Sequence, residues 1–168
     1  MGFFFKDFIK NGARQLWIIG LSLIILAILL YLSERFSKKN RKINELNFWQ
    51  IQFIGLTQAF ALIPGCSRSG STIMGGLLVG LKREDSARFS FLLGLPAILG
   101  SSLYEFFELI ENGISNETFA NLSLGIITAF ISGYITINFF LKFIQNHGTL
   151  LFVIYRILLG TLILIFVV

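Results

Sequence analysis

The residues best placed to do chemistry in this chain form one polar nonapeptide, residues 64–72, reading Pro-Gly-Cys-Ser-Arg-Ser-Gly-Ser-Thr. Apolar sequence lies on both sides, residues 53–63 before it and 73–81 after it. The hydroxyls of Ser67, Ser69, Ser71 and Thr72 surround a single arginine, Arg68. At a bilayer centre an arginine costs roughly 2.5–3.5 kcal/mol on insertion scales, so its presence calls for a function or a partner. Pro64 and Gly65 break the preceding helix, Gly70 keeps the backbone approachable, and a new helix is expected to start near residues 69–71. Its free N–H groups and positive dipole end then stand beside the guanidinium. N–H donors, hydroxyl donors and one bidentate cation converging on tetrahedral oxygens make an anion site, most naturally for phosphate. The competing reading is structural, with Arg68 satisfying the carbonyls of the broken helix.

The elements that must position this stretch are membrane helices. With 168 residues, 55% of them hydrophobic, and a mean hydropathy of +0.78, the chain cannot hide runs such as residues 16–32 and 150–164 in a small soluble core. The expected fold is an all-α polytopic integral membrane protein, one domain over residues 1–168, with about four transmembrane helices and one re-entrant helical hairpin. A net charge of +5 raises the question of nucleic acid, but much of the excess sits in one inter-helix loop, so topology accounts for it and no nucleic-acid partner is expected. The lone cysteine, Cys66, reads as a small residue in a tight turn and allows no intrachain disulfide.

Taken in order, Lys6, Lys10 and Arg14 precede the first span without a small-residue cleavage site after it, so a retained span is expected over residues 16–32. Residues 33–45 hold Arg35, Lys38, Lys39, Arg41 and Lys42 against Glu34 and Glu45, which places that loop on the cytoplasmic side. The first three cations then fall on the outer side, an exception to the charge pattern. Residues 48–63 are apolar but interrupted by Gln50, Gln52 and Gln58. Residues 71–81 make a helix of only about 16 Å, too short to cross. Both ends look cytoplasmic, so residues 48–82 are expected to form a re-entrant hairpin with its tip near mid-membrane. Gly75, Gly76 and Gly80 read as close-packing positions. A span over residues 86–110 should kink at Pro96, followed by an external loop at 111–118, an inward span over 119–144 and an outward one over 149–168. Two glycosylation-like triplets, at residues 116–118 and 121–123, carry no weight.

The run Gly-Leu-Thr-Gln-Ala-Phe-Ala-Leu-Ile at residues 55–63, continuing into the nonapeptide, resembles the bacterial undecaprenyl-pyrophosphate phosphatase family, also called the bacitracin-resistance family. Residues 84–88 and Phe89-Ser90-Phe91-Leu92-Leu93 carry the resemblance onward, and it extends from about Gly2 to the C-terminus, including Tyr155-Arg156. It implies two inverted repeats, each with a re-entrant hairpin. It also implies removal of the terminal phosphate of the undecaprenyl lipid carrier at the outer face of the bacterial inner membrane, for carrier recycling in cell-wall synthesis. Ser67 and Arg68 fall on the family's catalytic pair and Thr72 on its substrate-contacting threonine. A divalent metal such as Mg²⁺ or Ca²⁺ is implied too, through paired glutamates and a histidine of a first repeat. No counterpart of that motif occurs here, so no metal ligand is assigned, and the chain is expected to match the C-terminal two-thirds of a family member.

Phosphoanhydride hydrolysis needs charge neutralisation, an aligned nucleophile and a stabilised leaving phosphate. Arg68 suits the first through its planar fork, and Ser67 could attack or position a water. Gly65 and Ser69 join the binding motif, while Gln58 either bonds across the hairpin or faces substrate. Arg156 is a second intramembrane cation, with a structural pairing and a second phosphate contact both open. His147 is expected at a solvated helix end, and Glu105 and Glu108 at an outer interface. The rivals are a lipid or ion transporter, since broken helices also build transport sites, and an inactive remnant. An acid-phosphatase-like lipid phosphatase is disfavoured because Ile73 stands where its histidine would be. A homodimer would rebuild an inverted pair of hairpins.

Overall fold

The computed structural model describes residues 16–111 and 116–167, with the side chains of 116–120 left aside. Six α-helices account for most of it: α1 (Leu16–Phe36), α2 (Phe48–Thr57), α3 (Arg68–Leu78), α4 (Arg83–Glu111), α5 (Asn116–His147) and α6 (Leu150–Val167). Among the described residues there is no strand, only a single bridge pairing Arg41 with Leu81. Helices α1, α4, most of α5 and α6 are long and apolar enough to span a membrane. The chain is thus an all-α polytopic membrane protein. The outward-facing Leu, Ile and Phe side chains of α4, α5 and α6 are what lipid-facing surfaces require. Lys6, Lys10 and Arg14, with their topological exception, lie outside the described residues.

Helices α1 and α6 pack antiparallel along their length. Their backbones meet at a pair of glycines: a Cβ on Gly160 would stand 2.7 Å from the Gly20 carbonyl oxygen, so only hydrogen fits there. Against this pair lies the hairpin. Its first arm is α2 followed by a 3-10 segment (Gln58–Leu62), and its return arm is α3. Helix α2 starts on a capping box in which Asn47 and Gln50 each bond the other's backbone N–H. The two feet of the hairpin are joined, since the Gly80 carbonyl accepts from Asn40 and Arg41 and the Arg41 carbonyl accepts from Lys82. Gly75 and Gly76 are packing positions as expected, against Thr57 and Ser86. Gly80 instead has φ +93 and forms the turn at the foot of α3, packed against the loop residues Asn40 and Arg41, 3.7 Å from where a Cβ would be, rather than against another helix.

The tip of the hairpin touches α1 between Ile19 and Ser22, roughly 21 Å from the Phe36 end at 1.5 Å per residue. The first arm is long enough to reach it: ten residues of α-helix at about 1.5 Å each and five of 3-10 helix at about 2.0 Å each span roughly 25 Å. Pro96 lies inside a continuous α4.

The feet are locked by one carboxylate. Glu34, in the last turn of α1, accepts 2.5 Å from Arg83 Nε at the start of α4, and its other oxygen accepts the backbone N–H at 2.8 Å and the hydroxyl of Thr149 ahead of α6. Three helices thereby share one anchor. Glu34→Ala should destabilise the protein by about 2 kcal/mol, since hydrogen bonds to a charged group are worth about 1.5–3 and Arg83 is partly solvated. Thermal unfolding in detergent measures it; an unchanged midpoint would rule the anchor out.

Candidate active site

The nonapeptide becomes a turn plus the first turn of α3. The helix starts one to three residues earlier than its sequence suggests, at Arg68, because Ser67 caps it: the Ser67 hydroxyl accepts the Gly70 N–H at 3.1 Å. A cap at 67 leaves the N–H groups of Arg68 and Ser69 without intrahelical partners. Gly65 has φ +88 and lies directly on α1, where the Ser22 hydroxyl donates 2.6 Å to the Pro64 carbonyl. Ser22 was hidden in the sequence as one polar residue in an apolar run, and its tie to the tip is the signal that run contained.

Two arginines flank this turn from different helices. Arg156 projects from α6, is buried, and donates from Nη2 to the Gly65 carbonyl at 2.9 Å. Its Nη1 lies beside Gly70, 3.6 Å from where a Cβ would be, and its Nε is buried without a partner among the described residues. Arg68 points to α4, where its Nη1 reaches the Gly94 carbonyl at a long 3.4 Å. A Cβ on Gly94 would stand 2.7 to 2.9 Å from that guanidinium, so the glycine is the notch in which Arg68 rests. Its sequence signal was ambiguous, since a glycine two residues before Pro96 reads equally as part of a kink.

A cavity of about 230 Å³ opens beside the turn. Ser67, Ser69, Gly70 and Arg156 form its polar end, and Leu30, Ile73, Phe140, Ile144 and Phe152 its apolar walls. Thr72 is one turn in from this surface and buried; its hydroxyl is 2.5 Å from Ser90 on α4 and donates toward the Arg68 or Ser69 carbonyl. Gln58 sits in the 3-10 segment, outside the cavity lining, with a buried Oε1 that has no partner among the described residues. Cys66 faces the opposite side of the tip, in an apolar cavity with Trp17, Leu21 and Ile63.

Among the described residues the acidic and imidazole side chains are outside this cavity's lining. His147 is exposed at the end of α5, stacked on Phe143 at 4.7 Å. Glu105 lines a separate groove with Phe106, Leu122 and Ile126. Among the described residues no three His, Cys, Asp or Glu side chains gather, so they do not make a site for the divalent metal that the resemblance implies.

The profile of the Bacitracin resistance protein BacA family matches residues 1–162. The chain belongs to that family. Similar members include the undecaprenyl-diphosphatase of Mycolicibacterium vanbaalenii, 39% identical over 98% of this chain, and that of Renibacterium salmoninarum, 42% identical over 98%. A third, from Myxococcus xanthus, is 43% identical over 98% of the chain. The chain spans 60%, 60% and 55% of these relatives' own lengths, respectively. Family membership sets the turn at residues 64–72 in a context of membrane enzymes. What the chain itself contributes is the pairing of that turn with Arg156, which only the packing of α6 on α1 brings about.

Proposed function

We propose that this protein is an undecaprenyl-diphosphatase of the bacterial inner membrane, hydrolysing undecaprenyl pyrophosphate to undecaprenyl phosphate and phosphate. The observation that carries the reading is the convergence of Arg156, the capped start of α3 and the hydroxyls of Ser67 and Ser69 on one cavity with apolar walls. The pyrophosphate takes the polar end, and the first isoprene units lie against Leu30, Ile73, Phe140 and Phe152. The tip is nearer the Leu16 end of α1 than the end bearing the basic loop. With that loop cytoplasmic, the tip reaches the outer half of the bilayer, and the cavity runs from it toward the cytoplasmic end along Leu30, Ile144 and Thr149.

In the proposed step the bridging P–O bond breaks as an oxygen nucleophile adds to the terminal phosphorus. Such transition states are loose, with little bond formation to the nucleophile and charge spread over the phosphoryl oxygens. The demand is then for cations and N–H donors more than for a strong base. Arg156 and the Ser69 N–H supply them at the cavity, Arg68 adds its charge from its rest at Gly94 outside the cavity lining, and the prenyl phosphate leaves as an anion. Ser67 accepts the Gly70 N–H, so its own proton is available to a phosphate oxygen while water attacks; with Ser67 as the nucleophile, its proton passes to the departing prenyl phosphate and water then cleaves the seryl phosphate to release phosphate. Thr72, tied to Ser90, holds the first turn of α3 against α4 behind the reacting groups. Gly65 presents its carbonyl to Arg156, and Gln58 brings a free amide to the hairpin interior.

Phosphate release from a polyprenyl pyrophosphate by the purified 168-residue chain in detergent, with and without Mg²⁺ or Ca²⁺, tests the reading. Release is expected; binding without release would favour a transporter, and neither would favour an inactive protein. His147→Ala should leave release within about twofold of the parent, as exposed substitutions away from a site usually do; a large loss would relocate the chemistry.

A further inference from the structure

The cations at the other end of the molecule are distributed in a way that the proposed chemistry does not use. Among the described residues two ion pairs lie within 4 Å, Arg83 with Glu34 and Arg88 with Glu84. Arg35, Lys38, Lys39, Arg41, Lys42, Lys82 and Lys142 have no acidic partner among them. All seven are at the end of the bundle where α1 finishes, the hairpin has its feet and α5 ends.

Some of them enclose a cavity. Lys39, Lys82, Arg83, Glu84 and Gln145 line a polar hollow of about 200 Å³ between the loop after α1, the start of α4 and the last turns of α5. Its shape is built rather than accidental. The loop is stitched to the hairpin foot by Asn40, Arg41 and Lys82 backbone bonds. Lys39 takes a left-handed conformation, φ 48, unusual for a lysine, and its ammonium reaches back to the Glu34 carbonyl at 2.9 Å. Glu84 shares the hollow but is turned to Arg88 at 2.7 Å, and Glu34 is already held by Arg83 and Thr149. Lys82 is exposed and makes no side-chain bond among the described residues.

The surroundings fix the kind of anion. Phe36, Phe48 and Trp49 are prominently exposed beside the basic loop, 80%, 65% and 78% accessible, which is the pattern of side chains anchored at a membrane interface. An anion meeting Lys39 and Lys82 there has acyl chains beside it. We propose that this hollow binds the phosphate head group of an anionic phospholipid of the cytoplasmic leaflet, with Lys39, Lys82 and Arg83 as the cations and Gln145 as a neutral donor. It is a second anion site, with a lining separate from that of the Arg156 cavity, and it does not depend on the phosphatase reading.

The test is native mass spectrometry of the full chain from detergent micelles doped with phosphatidylglycerol or with phosphatidylcholine, counting lipid retained per protein. The parent should retain phosphatidylglycerol selectively, and millimolar inorganic phosphate should not displace it. Lys39→Gln with Lys82→Gln should weaken retention at least tenfold, while Arg35→Gln with Lys38→Gln, which removes the same charge outside the hollow, should change it less than twofold. Lys82→Gln alone removes no bond among the described residues and should still weaken retention several-fold, so a folding defect from losing Lys39 cannot mimic the result. Equal losses in both double variants would mean diffuse attraction and overturn the site. So would displacement by inorganic phosphate, or no preference for phosphatidylglycerol.

Discussion

Arg68→Ala is expected to lower phosphate release from a polyprenyl pyrophosphate by at least about 10³-fold, roughly 4 kcal/mol of transition-state stabilisation. The physical ground is that a loose phosphoryl transition state gains most from fixed positive charge on its oxygens, and here that charge is held almost unbonded, at 3.4 Å from the Gly94 carbonyl. Arg156 is held more tightly, by one nitrogen to the Gly65 carbonyl at 2.9 Å, and keeps its other Nη beside Gly70 at the cavity. Arg68→Lys should recover part of the activity, because charge returns without the planar fork. Single-turnover phosphate release, with a melting curve for each variant, checks this. An active, folded Arg68→Ala protein would remove the central claim, and an unfolded one would return Arg68 to a structural role.

Gly65→Ala should be nearly as damaging for a different reason. At φ +88 an alanine is strained by roughly 1–2 kcal/mol. Its Cβ would also run into the Ser22 hydroxyl and stand 2.8 Å from the Ile19 carbonyl oxygen, so backbone must move. The tip would lift off α1 and carry the Gly65 carbonyl away from Arg156. A displacement near 1 Å at a reacting centre can cost about 10²-fold in rate, and that loss is the expected result. Gly55→Ala is the control: nothing lies within 4 Å of its would-be Cβ, and alanine in a helix gains roughly 0.5–1 kcal/mol over glycine. Activity and melting temperature of the two variants, measured side by side, decide it. If Gly65→Ala behaves like Gly55→Ala, the tight seating of the tip has no functional weight.

Much of this was written in residue order alone. Long apolar runs without soluble alternatives determined that α1, α4, α5 and α6 are membrane helices, because a bilayer leaves the backbone no other way to satisfy its N–H and C=O groups. Pro64, Gly65 and the serines around Arg68 determined that a helix breaks and restarts there, since proline withholds an N–H and serine caps the next helix. The one-sided charge of residues 33–45 marks the end expected to be cytoplasmic.

Three things were decided only in three dimensions. Arg156 joins the turn because two glycines let α6 approach α1, a contact between positions far apart in the chain whose geometry no local pattern records. Arg68 finds its rest at Gly94 and Thr72 its partner in Ser90 because α4 folds back along α3, and a serine or glycine in a helix has many other reasons to be there. Lys39 and Lys82 share one hollow because backbone bonds tie the loop after α1 to the foot of the hairpin. Sequence dictates helix and turn through local sterics and the solvent each residue needs, whereas the meeting of side chains from separate helices is set by how those helices pack.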